Sequence, residues 1–190
     1  MKRKYELKER ARRQAETRQR IVEAAVDLHT SVGPARTTIS AIAERAGVER
    51  HTVYAHFADE RRLFEACSAH WAARHPFPDP DRWATAGDPD ARLRAALDDL
   101  YGWYEEVEPD VAIFRRDAQV HPLNAEIIAE DDRNLAAMAD ELARGRPRRK
   151  AVRAAVGHAV EFETWRSLAR RQGLTRKQAV DTMLRLVAGA

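Results

Sequence analysis

The 190-residue sequence contains one cysteine, Cys67, so no intrachain disulfide can form and one chain cannot assemble a thiolate zinc site. It has no run near the roughly 18 apolar residues a membrane helix needs. Its basic opening, MKRKYELKERARRQ, lacks the apolar stretch of a secretory signal. The expected location is therefore the cytoplasm. Eight glycines and eight prolines, few of them adjacent, do not fit a collagen-like or low-complexity chain. With 44% hydrophobic and 33% charged residues, the chain has enough apolar material for a sizeable core, which disfavours a largely disordered protein.

Charge is distributed unevenly. Residues 1–20 carry nine Lys or Arg (Lys2, Arg3, Lys4, Lys8, Arg10, Arg12, Arg13, Arg18 and Arg20) against three Glu, whereas the whole chain is only +3. A basic end on a nearly neutral body suits approach to a polyanion and equally suits a solvated charged helix.

No alternating pattern is long enough to build a sheet, and every sustained apolar pattern has the helical period. The expected fold is all-α, with a three-helix N-terminal domain and a C-terminal bundle. Ile21, Ala24, Ala25 and Leu28 form one stripe, which Gly33-Pro34 ends. A helix is expected from Asp59 to about Ala73, before the proline cluster Pro76, Pro78 and Pro80. Asp88-Pro89 opens a helix lined by Leu93, Leu97, Leu100, Tyr104 and Val107, with Tyr101 and Trp103 on its shoulders. Pro109 is expected to start a short helix to about Val120, and Pro122 another to about Arg144. The last two helices are expected near 148–171 and 175–188. Val152, Val156, Ala159, Val160 and Glu163 line the first, and Val180, Met183, Leu184 and Val187 the second.

The segment Thr37–Phe57, TTISAIAERAGVERHTVYAHF, carries the most information. Ile39, Ile42, Ala43 and Ala46 give a short helix one apolar face, a threonine caps it, Gly47 supplies a tight turn, and a second short helix begins near Glu49. Val48, Val53 and Phe57 face inward, which leaves Arg50, His51, Thr52, Tyr54 and His56 outward. This is the recipe of a helix-turn-helix whose second helix enters the DNA major groove. Arginine can bond guanine bidentately, threonine can meet a thymine methyl, and tyrosine and histidine donate to phosphate.

Residues 17–64 resemble the N-terminal domain of the TetR family of bacterial transcriptional regulators. The resemblance is carried by Ile21, Ala24, Ala25, Leu28, Gly33, Thr37-Thr38, Ile42-Ala43, Ala46-Gly47-Val48, Tyr54, Phe57 and Leu63-Phe64. Phe162–Val180 resembles, less distinctively, the dimerising end of some members. The resemblance implies a basic arm over 1–16, a DNA-binding domain over 17–64 and a ligand-binding and dimerisation domain over 65–190. It further implies a homodimer that binds a roughly palindromic double-stranded operator and releases it when a small-molecule effector enters the C-terminal domain. Thr38 would cap the second helix and meet a phosphate, with Arg36 and Thr37 beside it. Arg50, His51 and Thr52 would face bases, and Tyr54 and His56 would grip phosphates. Where relatives commonly carry a lysine aimed at the DNA backbone, this chain has Asp59-Glu60 and then Arg61. Arg61 or Arg62 is the candidate substitute.

Other classes have less support. No GxSxG, HExxH or phosphate-binding glycine loop occurs, so an enzyme is not expected. His29, His70, His75, His121 and His158 are scattered without metal-ligand spacing, and neither a metal nor a cofactor is expected. Tyr101, Trp103, Tyr104, Phe114 and Phe162 line either an effector cavity or the bundle core, with His121, Arg115 and Asp117 as neighbouring polar candidates. Val156, Val160, Val180, Met183, Leu184 and Val187 are the expected dimer interface. The alternative reading is a helical dimer of the same fold that acts through a protein partner without reading an operator.

Overall fold

The computed structural model describes the backbone of residues 2–190 and the side chains of residues 5–190. Among the described residues there are ten α-helices and no strand. They divide into two compact units, one formed by 1–76 and 109–128, the other by 77–108 and 129–190.

In the first unit, α1 (Lys2–Ser31) is one continuous helix, so the residues expected as an arm extend it. Glu9 and Glu16 stand three or four positions from Arg12 and Arg13 and pair with them at 2.6–3.5 Å, the spacing that supports an exposed helix. Ile21, Ala24 and Ala25 are buried with Val22, while Leu28 is only half-buried beside them. Gly33, at φ 100°, begins a single turn of 3-10 helix, Pro34–Arg36. Helix α2 (Ile39–Ala46) starts at Thr38, whose hydroxyl accepts from Ala41 N–H at 3.1 Å, and ends at Gly47 in the left-handed conformation. Helices α3 (Arg50–His56) and α4 (Glu60–Arg74) follow, the second capped by Asp59 accepting from Arg62 N–H at 2.8 Å. Ile42, Ala43, Val53, Phe57 and Leu63 close the core against α1.

In the second unit, α5 (Pro80–Ala84) buries Trp83, whose indole N–H donates to Asp99 at 2.9 Å. Helix α6 spans Pro89–Asp117 without interruption, correcting the short helix expected to start at Pro109. A proline removes one hydrogen bond from a helix interior. Here the chain continues through it, and the change from one unit to the other falls between Glu108 and Pro109. Helix α7 is Pro122–Leu142.

The single helix expected over 148–171 is also corrected. It divides into α8 (Lys150–Val160) and α9 (Phe162–Arg166), followed by a π-helical turn, Ser167–Arg171, before α10 (Arg176–Gly189). The break lies at Glu161, in extended conformation, and tyrosines satisfy the carbonyls it releases. Tyr101 donates its hydroxyl to Ala159 C=O at 2.7 Å, and Tyr104 donates to Val160 C=O at 2.8 Å. Glu163, expected in the apolar stripe, is exposed because the break turns α9 to a new face. Thr175 and Gln178 form a capping box at the start of α10.

Candidate nucleic-acid interface

The geometry of the first unit follows from three local devices: the Thr38 cap, the left-handed Gly47 and the burial of Val53 and Phe57. Together they fix which side of α3 faces out. Arg50 and His51 are exposed, Tyr54 is 41% exposed, and Thr52 and His56 are half-buried. Arg50 donates to the Tyr54 hydroxyl at 3.4 Å, and its guanidinium lies 5.7 Å from the ring centroid. That hydrogen bond raises the Arg50 pKa above its usual value. Two long side chains one helical turn apart thus present a joint surface of hydrogen-bond donors.

The two threonines differ. Thr37 donates its hydroxyl to Gly33 C=O at 2.8 Å, an internal bond. Thr38 uses its oxygen as a helix cap and keeps its hydroxyl proton for another acceptor. Arg36 is exposed. Arg61 is held by Glu126 through two contacts at 2.7 and 3.1 Å, while Arg62 pairs with Glu65 at 2.9 Å. Both candidate substitutes for the family's lysine therefore carry an intramolecular carboxylate partner.

Sequence reasoning did not anticipate that α1 shares a groove with α3. Tyr5, Glu6, Glu9, Arg10, Arg13, Gln14 and Thr17 of α1 and Thr52 and His56 of α3 line an open groove of about 450 Å³, in which two carboxylates stand beside the two arginines. The readable signal was the Glu-to-Arg spacing that makes the segment helical. The side chains of Lys2, Arg3 and Lys4 lie outside the described residues.

The six residues expected to gather around an effector fall into two clusters. In the second unit, Tyr104 meets Phe162 edge-on at 5.3 Å and Trp165 at 5.6 Å, Tyr101 lies 6.5 Å from Tyr104, and half-buried Trp103 meets Phe77 at 5.2 Å. Tyr101, Tyr104 and Phe162 are core residues, and burial raises the Tyr101 hydroxyl's pKa. The buried indole N–H of Trp165 has no hydrogen-bond partner among the described residues. In the first unit, Phe114 packs edge-on to Trp71 at 5.4 Å, and His121 stacks on Phe64 at 5.3 Å. Asp117, expected near the effector, is buried beneath the turn after α1.

The expected dimer-interface residues are mostly spent inside the second unit. Val156, Val160, Val180, Met183 and Val187 are buried within the single chain, and only Leu184 is partly open. Their stripe is the inward face of α8 and α10, and the exposed apolar residues of the two helices include Ala154, Leu186 and Ala188.

A short helix, a left-handed glycine turn and a second helix with an outward polar face define the N-terminal unit as a helix-turn-helix domain of the DNA-reading class. Residues 21–67 match the family described as bacterial regulatory proteins, tetR family. The HTH-type transcriptional regulator SrpR of Pseudomonas putida is 39% identical over 61 residues, which are 32% of this chain and 28% of that regulator. Similarity extends over most of the chain at the level of fold. A TetR-like regulator from Rhodococcus sp. RHA1 superposes with a TM-score of 0.60 and 22% identity, covering 90% of this chain and 93% of the other. The multidrug binding protein EbrR, solved in complex with imidazole, gives a TM-score of 0.57 at 21% identity over 90% and 89% of the two chains.

Proposed function

We propose that this protein is a transcriptional repressor that binds a palindromic DNA operator as a homodimer and releases it on binding a small, largely apolar effector. The observation that carries the reading is the exposed set Arg50, His51 and Tyr54 on α3, a helix whose opposite side is fixed in the core by Val53 and Phe57. Arg50, His51 and Thr52 read bases. Arg36, Thr37, Thr38, Tyr54 and His56 hold the backbone, and the cations of α1 add phosphate contacts without sequence preference. In a dimer, the two copies of α3 must lie about 34–36 Å apart to enter successive major grooves.

The effector is assigned to the second unit's aromatic cluster, where the buried indole N–H of Trp165 has no hydrogen-bond partner among the described residues. That EbrR is a multidrug binding protein supports a small-molecule effector. Release requires the effector to favour the non-reading state by about 1–3 kcal/mol, and DNA must weaken effector binding by the same factor. Dimerisation is assigned to the outward faces of α8 and α10, around Leu184, Ala188 and Ala154.

The carboxylate partners of Arg61 and Arg62 favour a second reading, in which the same dimer acts through a protein. A gel shift with the DNA upstream of the protein's own coding sequence, at two salt concentrations, separates the two. A saturable shift that weakens with salt supports operator binding, and no shift at either concentration supports the protein partner.

A further inference from the structure

The turn that launches the helix-turn-helix lacks a cap of its own. Its first residue, Gly33, has no side chain to accept the N–H groups at the start of the 3-10 turn. The acceptor comes instead from the end of α6, 82 residues further along the chain. Asp117 is 3% exposed, and its Oδ2 accepts from Ala35 N–H at 2.9 Å. Its Oδ1 accepts from Arg116 Nε at 2.7 Å, and Arg116 also donates to Val32 C=O at 3.2 Å. Burial alone would raise the Asp117 pKa, but the bonds from Arg116 and Ala35 outweigh it and hold the carboxyl below its usual value.

Gly33 fits the same arrangement from the other side. A Cβ on it would lie 2.2 Å from Asp117 Oδ2, and its φ of 100° disfavours any residue with a side chain. Thr37, directly after this turn, donates its hydroxyl back to Gly33 C=O, and Thr38 caps α2 next to it. One carboxylate therefore fixes the turn from which α2 and then α3 depart.

We propose that Asp117 is a positioning residue for DNA reading, a cap supplied by α6 that holds the turn before α2 and so sets the orientation of the helix-turn-helix. The proposal rests on the operator-binding reading and adds to it a specific residue at which a displacement of α6 reaches the reading head. Asparagine at 117 retains an oxygen for Ala35 N–H, whereas leucine has similar bulk and no acceptor.

The test uses the full-length protein and a duplex selected from a randomised pool by the wild-type chain. Asp117→Leu is expected to weaken binding to that duplex several-fold, the scale of losing the acceptor of a part-buried N–H, and to speed amide exchange at Ala35. Asp117→Asn is expected to recover most of both. Core amides of α1 in Asp117→Leu are expected to exchange at wild-type rates, so that the loss of affinity is read on a folded chain. Wild-type affinity in Asp117→Leu, or equal losses in the Leu and Asn variants, would overturn the proposal. A wild-type chain that enriches no duplex would overturn the operator reading itself.

Discussion

Arg61 at the start of α4 is clamped by Glu126 of α7, the two guanidinium nitrogens lying 2.7 and 3.1 Å from the two carboxylate oxygens. The arginine that stands nearest to the family's backbone-contacting lysine is thus engaged within the chain. Both side chains are about half exposed, so the pair is worth little to stability, but it competes with any phosphate for the same cation. Glu126→Gln is expected to raise operator affinity by about two- to fivefold at low salt, with the gain shrinking as salt rises. Fluorescence anisotropy with a labelled duplex reads this directly, and unchanged affinity would place Arg61 outside the interface.

Base reading and backbone attraction separate by their salt dependence. Deleting residues 2–13 removes seven Lys or Arg against two Glu from α1, so binding should weaken to every sequence alike and its salt dependence should flatten. Arg50→Ala should instead cost about 1–3 kcal/mol at one base pair and relax discrimination there, with the salt slope falling by at most about one contact. Identical behaviour of the two variants would refute the division of roles.

Much of this site was legible in the sequence, for local reasons. A capping threonine, a glycine in a left-handed turn and apolar residues at helical spacing act within a few positions, so Thr38, Gly47, Val53 and Phe57 specify the motif by themselves. What was hidden depends on partners distant in sequence. Pro109 reads as a helix start, yet α6 continues through it. Nothing near Glu161 signals a break, because the groups that satisfy the freed carbonyls are Tyr101 and Tyr104, more than fifty residues earlier. Periodicity locates an apolar stripe but not what covers it, so the valines of α8 and α10 read equally as core and as subunit interface. Asp117 gave no local sign of its role, since Ala35 lies far from it in the chain.

Leu184 and Val160 distinguish those two uses of an apolar residue. Val160 is 1% exposed, and a glutamate there buries a charge, so Val160→Glu should unfold the second unit or abolish expression. Leu184 is partly open, and Leu184→Glu should give a folded monomer with near-native helicity. Sedimentation equilibrium beside circular dichroism tests both, and an intact dimer in Leu184→Glu would move the interface elsewhere.

The core of the first unit carries a pH dependence of known sign. Burial, with the nearby His121, lowers the His29 pKa to about 4, against an opposing pull from Asp117. Its neighbour Cys67 lies 3.4 Å away, and burial pushes that thiol up to about 12, so both remain neutral. The unfolded chain takes up a proton on His29 near pH 6.5 and the folded one only near 4. Stability from this group is therefore complete above pH 6.5 and lost as pH falls toward 4, by on the order of 3 kcal/mol. Urea unfolding at pH 7 and pH 4.5 should show that loss, and His29→Gln should reduce it. An equal loss in the variant would assign the dependence to other groups.

Selection of duplexes from a randomised pool by the full-length protein, followed by footprinting of the winners, determines whether α3 reads a specific operator. The expected result is a palindromic consensus whose half-sites are centred about one helical turn apart, protected in the major groove, and lost selectively at one base pair by Arg50→Ala. A pool that returns no consensus, or a consensus indifferent to substitution of Arg50, His51 and Thr52, would contradict it.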